Sequence, residues 1–387
     1  MNRPDSPAIR LLNDLLAAAV SLRASDVHLE PSREQVRVRF RIDGILYLQH
    51  PLDMNYAQQI MARIKVLSHM NVAEKRLPQD GTFSFEHEGL TLDVRVATFP
   101  SVYGEKIVIR ILDRTQETRD LEKLGFEDSM CAAIKKLAQC SGGFFLVTGP
   151  TGSGKTTTLH AMLSRIRSDE KNIITLEDPV EYHVTDITQG QVYPEIGFTF
   201  EKGIRALLRQ DPDIIMVGEV RDRETARVAI QAALTGHLVL STLHTNDATG
   251  ALMRLLDMGI EPFLINASLT GILAQRLARK LCESCRREVT PTADELAFVT
   301  CHKLSIQHFY TSKGCAACYN LGHRGRIGIF ELLMMTHALR LLLTQQPVFS
   351  RLYEQALCDG MKPLIHDAAL KVDQGCISLE ELIRILI

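Results

Sequence analysis

Residues 149–158 read GPTGSGKTTT. Gly149 to Thr156 fits G-x-x-x-x-G-K-[ST], the spacing of a phosphate-binding loop. Gly149, Pro150, Thr151, Gly152, Ser153 and Gly154 form the cradle, and Lys155, Thr156 and Thr157 open the segment after it. The glycines let backbone N–H groups approach phosphate oxygens with no Cβ in the way. Lys155 adds a charge near the β and γ oxygens, and the Thr156 hydroxyl suits Mg²⁺. The flanks agree with this reading. FFLVT at 144–148 is a short apolar strand, and Leu159, Met162, Leu163 and Ile166 follow at helical spacing. A strand feeding a helix through such a loop presents helix N–H groups to an anion. It belongs to a parallel α/β nucleotide-binding core.

Working outward, apolar segments recur at NIITL, DIIMV and HLVLSTL, with helical patterns between them. Strands buried on both faces should be almost continuously apolar, as these are. Before residue 112 the pattern differs. Residues 1–22 have helical spacing (Leu11, Leu12, Leu15, Leu16, Ala19), and VRVRFRI at 36–42 alternates apolar with arginine. ILYLQ, a helix at 55–70, TFSFE, LTLDVRVATF and KIVIRIL complete a mixed α+β domain. The polar stretch DRTQETRD at 113–120 is the linker candidate. The expected boundaries are 1–114, a linker at 115–124, and an ATPase domain at 125–387 with C-terminal helices from 331.

The chain has 387 residues, 45% apolar and 23% charged, with net charge −2, so two or three globular domains are expected. No apolar run reaches membrane-span length. The N-terminus lacks the apolar core and cleavage site of a secretory signal, which points to a cytoplasmic protein. A near-neutral chain with no Trp offers neither a global basic field nor many stacking rings, which argues against a nucleic-acid motor despite Arg37, Arg39 and Arg41.

A triphosphatase needs acids at neighbouring strand ends. DIIMVGE supplies Glu219, to hold Mg²⁺ or polarise water, and LEDPVE supplies Glu177, Asp178 and Glu181. The plainer reading of that trio is solvated turn acids. His237 and His244 bracket LVLSTL, and His244 lies at the strand's C-terminal end, where α/β sheets bind ligands. Arg95, Arg110, Arg205 and Arg209 are candidates to meet γ-phosphate charge, against the simpler reading of surface ion pairs. Of nine cysteines, Cys282 and Cys285 form one C-x-x-C pair, and Cys315 and Cys318 another. In a reducing compartment this pattern suits a closed Zn²⁺ site, with free or redox thiols the alternative. A small helical insert is expected between the pairs. Arg279, Lys280, Arg286 and Arg287 are expected to help keep the thiolates ionised.

The ordered set resembles the secretion ATPases of type II secretion and type IV pilus assembly. ASDVHLEP at 24–31 resembles the opening of their N-terminal domain. GPTGSGKTTT, ITLEDPVEY, RQDPDIIMVGEVRDRETA and LTGHLVLSTLHTNDA resemble their four ATPase boxes in order. LAQRLARKLC with the two Cys pairs resembles the zinc subdomain, at 280–320, of the assembly and secretion branch. The resemblance implies a PAS-like N-terminal domain, a RecA-like P-loop domain and a homohexamer. It also implies an ATPase using ATP, Mg²⁺ and Zn²⁺, peripheral at the inner membrane through a platform protein and cytoplasmic adaptors. Glu219 would be the Walker B acid, Glu181 the first choice to position water, and Glu177 the second. Two departures accompany it. Thr82 stands where members often carry Arg, and residues 1–22 are too short for the further N-terminal domain of larger members. Docking would then use another surface or polypeptide. A DNA-uptake or conjugative pilus motor is the alternative within the family; a nucleotide-binding regulator without turnover is the alternative outside it.

Overall fold

A computed structural model describes residues 7–112, 120–181 and 183–386. The chain divides into two compact units, Met1–Glu117 and Thr118–Ile387. Residues 115–119 of the expected linker lie outside the described residues. Leu121–Leu124 is a 3-10 turn whose two leucines are buried in the second unit's core, so the end of that expected linker is structured.

In the first unit, α1 (Pro7–Ser21) and α2 (Met54–Leu67) pack on each other beside one antiparallel sheet. Its strands are β1 (Ala24–Pro31), β2 (Gln35–Ile42), β3 (Ile45–Leu48), β4 (Leu52–Asp53), β5 (Gln79–His87), β6 (Leu90–Ser101) and β7 (Gly104–Leu112). The order is β3-β2-β1-β7-β6-β5, with β4 on β2. Strict alternation sends Val36, Val38, Phe40 and Ile42 into the core and their arginine neighbours to the outer face, because successive Cβ atoms point to opposite sides. Register places Arg41, Asp26, Arg110, Arg95 and Thr82 opposite one another across five strands. The two arginines singled out in this unit therefore stand side by side, with Thr82 next in the row.

The second unit carries α3 (Asp128–Ala138), β8 (Gly143–Thr148), α4 (Lys155–Ile166), β9 (Ile173–Glu177), β10 (Thr188–Gln191), α5 (Phe200–Leu207), β11 (Ile214–Val217), α6 (Arg223–Leu234), β12 (Leu238–Leu243), α7 (Ala248–Asp257), α8 (Pro262–Ser268) and β13 (Leu269–Leu281). There follow β14 (Arg286–Glu288), α9 (Ala293–Cys301), β15 (Tyr310–Ser312), β16 (His323–Met334), α10 (His337–Gln345), α11 (Phe349–Cys358), α12 (Leu364–Asp373) and α13 (Leu379–Leu386). The main sheet runs β10-β9-β11-β12-β8-β13-β16 and is parallel except for the β13–β16 pair. Phe144 and Leu146 of β8 face one apolar core and Phe145 and Val147 the other, which is why the strand reads as a continuous apolar run.

The pair β13 and β16 is absent from the sequence expectation, which placed only the Cys segment and helices there. These strands extend the sheet by two, and β13 leads directly from the nucleotide-binding core to the Cys pairs. The expected insert is present as α9, capped by a reciprocal Thr292–Glu295 box. The C-terminal helices are anchored by Glu381, fully buried and accepting from Arg279 Nε at 3.0 Å and Arg384 Nε at 2.8 Å.

Candidate active site

The phosphate loop leaves the C-terminal end of β8 and enters α4. Gly154, at φ 86°, is the N-cap and brings no side chain to the helix mouth. A Cβ at Gly149 would stand 2.4 Å from the Gln275 carbonyl, so only glycine fits there. Lys155 donates to the carbonyls of Gly149 at 2.9 Å and Pro150 at 3.1 Å, and only 8% of it is exposed. Burial pushes its ammonium down to about 8; Glu219 resists that shift and Arg276 adds to it.

Around the loop lies a cleft of about 420 Å³. It brings together the loop from Thr151 to Thr157 with Glu177, Asp178, Glu181, Glu219 and His244. All stand at the C-terminal edge of the parallel strands, where such sheets bind ligands. Gly149 and Pro150 instead supply the carbonyls that Lys155 holds.

The acids occupy different environments. Glu177 is buried, and both its oxygens are held. Thr175 Oγ1 donates to Oε1 at 2.6 Å, Gln189 Nε2 donates to Oε1 at 3.0 Å, and His160 Nε2 lies 3.3 Å from Oε2. Burial alone would raise its pKa, but these partners, His160 foremost, outweigh it and hold the carboxyl below its ordinary value. Glu181 is exposed at the cleft rim. Glu219 follows β11, forms an ion pair with Arg221, and lies 3.4 Å from His244 Nε2. Arg221 also sits 3.3 Å from Asp178. A carboxylate at this strand end, already holding the Arg221 cation, is suited to a metal–phosphate centre.

Other candidates lie elsewhere. His237 precedes β12 and His244 follows it, so the two are roughly 20 Å apart along the strand. His237 Nδ1 is 2.9 Å from the Ala232 carbonyl at the end of α6. Arg205 pairs with Glu201 at 3.2 Å, and Arg209, beyond the end of α5 and not on it, donates to the Arg205 carbonyl at 2.9 Å. Neither arginine lines the cleft. Arg95 and Arg110 belong to the first unit, where Arg110 Nε donates to Asp26 at 3.0 Å.

Several residues of the site went unread in the sequence. His160 lies beside Thr156, Thr157 and Ser164 on α4, where nothing local marks it as the partner of a buried acid. Arg221 lies within RQDPDIIMVGEVRDRETA, where nothing local marks it as the partner of Glu219 and Asp178. Leu277 and Arg326, which line the cleft, and Gln275, which holds the loop at Ser153, come from the unanticipated β13 and β16. The local signal was the run LTGILA, apolar enough for a buried strand.

The four paired cysteines converge, their sulfurs all within 4.8 Å of one another. Three Sγ–Sγ separations are 3.8, 3.8 and 3.9 Å. A tetrahedral zinc with bonds of about 2.3 Å has sulfur–sulfur edges of about 3.8 Å, so the donor set fits. Backbone N–H groups of Cys315 and Gly322 donate to Cys318 Sγ at 3.2 and 3.3 Å. These donors, against burial, bring Cys318 down to about 7, whereas burial and the other sulfurs push Cys285 up to about 12. Three of the four basic residues expected to support the thiolates, Arg279, Lys280 and Arg286, have other partners. Arg279 is taken by Glu381, Lys280 by Glu283, and Arg286 donates to the Gly375 carbonyl at 3.0 Å. At Cys318 the support comes from backbone N–H groups.

A phosphate loop on an inner strand of a mostly parallel sheet, facing an acid at the next strand's end but one, defines a RecA-like P-loop ATPase core. The chain belongs to the type II/IV secretion system protein family, whose model matches residues 2–384. It is an ATP-hydrolysing enzyme of that family. It is 45% identical over 385 residues to the type II secretion system ATPase E of Vibrio cholerae, covering 98% of this chain and 76% of that one. It is 44% identical over 384 residues to the type IV pilus assembly ATPase PilB of Myxococcus xanthus, covering 98% and 68%. Among solved structures, the pilus retraction motor PilT with bound ADP matches at TM-score 0.63 and 27% identity, covering 96% of both chains. The Legionella pneumophila ATPase DotB matches at TM-score 0.72 and 22% identity, covering 98% and 97%, and shows the shared fold. Among the described residues no helix is long and apolar enough to cross a membrane.

Proposed function

We propose that this ATPase is a homohexameric motor for type II secretion or type IV pilus assembly, acting from the cytoplasmic side on an inner-membrane platform protein and its adaptors. The observation that carries the reading is the convergence of Lys155, Glu177, Glu181, Glu219 and His244 on one cleft. The similarity of 98% of this chain to part of the secretion and assembly ATPases supports the choice of machine, and the four-cysteine cluster supports a structural zinc.

In this reading the loop N–H groups and Lys155 hold the β and γ phosphates. Lys155 leaves the Gly149 and Pro150 carbonyls for phosphate oxygens, regaining charge stabilisation that burial withholds. Mg²⁺, held by Thr156 and by Glu219 directly or through water, would neutralise charge between the two phosphates. Glu181, exposed in the cleft, orients the attacking water. Glu177 has both oxygens occupied and a depressed pKa, so it shapes the site through His160 and is a poor proton acceptor near neutral pH. His244, beside Glu219, reports on the γ-phosphate. Arg95 and Arg110, and at the ring contacts Arg205, Arg209 and His237, supply charge or contacts between subunits. Thr82 leaves their row one cation short.

The test is Lys155→Ala. We expect loss of ATPase activity together with loss of filament assembly or secretion in cells; normal assembly by this variant would sink the reading. A membrane pull-down with ATP-loaded Glu219→Gln should retain the platform protein. Recovery of DNA-uptake components instead would favour a DNA-uptake pilus motor.

A further inference from the structure

We propose that Gln275 is a positioning residue for ATP hydrolysis, its side-chain amide fixing the curvature of the phosphate loop from beneath. The inference rests on that loop being the ATP site. Gln275 is 2% exposed on β13, the strand beside β8. Its Nε2 donates to the Ser153 carbonyl at 2.7 Å, and its Oε1 accepts from Thr158 Oγ1 at 2.8 Å. One planar amide thus ties the end of the loop to the first turn of α4. Ser153 and Thr158 are 3% and 1% exposed, so water does not replace either bond.

The backbone of the same residue closes the other side. The Gln275 carbonyl stands 2.4 Å from where a Cβ on Gly149 would be, and Nε2 stands 2.9 Å from where one on Gly154 would be. The loop is therefore pressed at both ends by a single residue. The next residue holds a second wall. Arg276 Nη2 donates to the Asn246 carbonyl at 2.9 Å, in the loop after His244.

The chemistry demands this residue type. The position must donate to a carbonyl and accept from a hydroxyl, which an amide does and a carboxylate or a thioether does not. A cradle of N–H groups acts on phosphate only if its spacing is right, and a displacement of about 1 Å in such a site can lower rates by about a hundredfold.

The experiment compares Gln275→Met, Gln275→Glu and Thr158→Val in the full chain, reading MgATP affinity, KM, kcat and melting temperature. Losing a buried bond of this kind should weaken MgATP binding by about tenfold in Gln275→Met and lower kcat as well. Thr158→Val, which removes one bond of the two, should show a smaller change of the same kind. Adding it to Gln275→Met should cost less than the sum. Gln275→Glu keeps the acceptor but faces the Ser153 carbonyl with a carboxylate, and should not rescue. Lowered melting temperature with KM and kcat within about twofold of wild type would overturn the proposal in favour of simple packing. Should Gln275→Met fail to fold, Thr158→Val decides: raised KM supports, unchanged KM and kcat overturn. ATP binding retained by Lys155→Ala would refute the site itself, and so would be told apart from failure of the Gln275 role alone.

Discussion

Thr175→Val tests how Glu177 is kept charged inside the protein. Valine matches threonine in shape, so the change removes one donor and leaves no cavity. Thr175 is fully buried, and its hydroxyl gives Glu177 Oε1 a bond of 2.6 Å. A hydrogen bond to a buried charge contributes about 1.5–3 kcal/mol. Gln189 still reaches the same oxygen and His160 the other, so the lower half, about 1.5–2 kcal/mol, is expected. For a unit of this size that is a fall in melting temperature of roughly 3–8 °C. The pH dependence has a definite sign. Glu177 is depressed in the folded protein, so its contribution is present above the ordinary carboxyl value near 4.5 and is lost as pH falls through the folded value. Removing a donor raises the folded value, so the variant should lose this contribution at higher pH than wild type. Thermal melts between about pH 4 and pH 7 read both effects. A variant that melts with wild type at neutral pH and shows the same acid limb would refute the three-donor account of Glu177.

Glu219→Gln should bind ATP yet hydrolyse it at least about a hundredfold more slowly, measured by nucleotide retention and phosphate release. Wild-type MgATP affinity should fall as pH rises through about 8, where Lys155 loses its proton; Lys155→Arg should remove that limb even if it binds more weakly. His244→Ala should lower kcat more than His237→Ala in the isolated enzyme, since only His244 lies beside Glu219 in the cleft; the reverse order in steady-state assays would contradict this. Metal analysis should find one zinc per chain, and Cys318→Ser or strong chelation should release it and lower the melting temperature, because folding and metal binding share one free energy.

The sequence by itself determined the units whose rules are local. The alternation of VRVRFRI, the spacing of GPTGSGKTTT and the two C-x-x-C pairs each follow from periodicity or ligand geometry over a few residues. They survive intact in β2, the loop before α4 and the sulfur cluster. The acids of LEDPVE and Glu219 were legible as well, because strand ends are where a parallel sheet presents side chains. Tertiary structure decided what depends on neighbours far apart in the chain. Gln275 meets Ser153, and Glu177 meets His160 and Gln189, only because parallel strands bring distant segments together. The helix 55–70 and the strands around it ended close to where periodicity put them. By contrast, LTGILAQRLARKL hides a strand because its buried half is apolar on both faces and shows no period of two. His237 and His244 look equivalent in sequence. The sheet separates them, since a strand has two ends and only its C-terminal one opens on the phosphate loop.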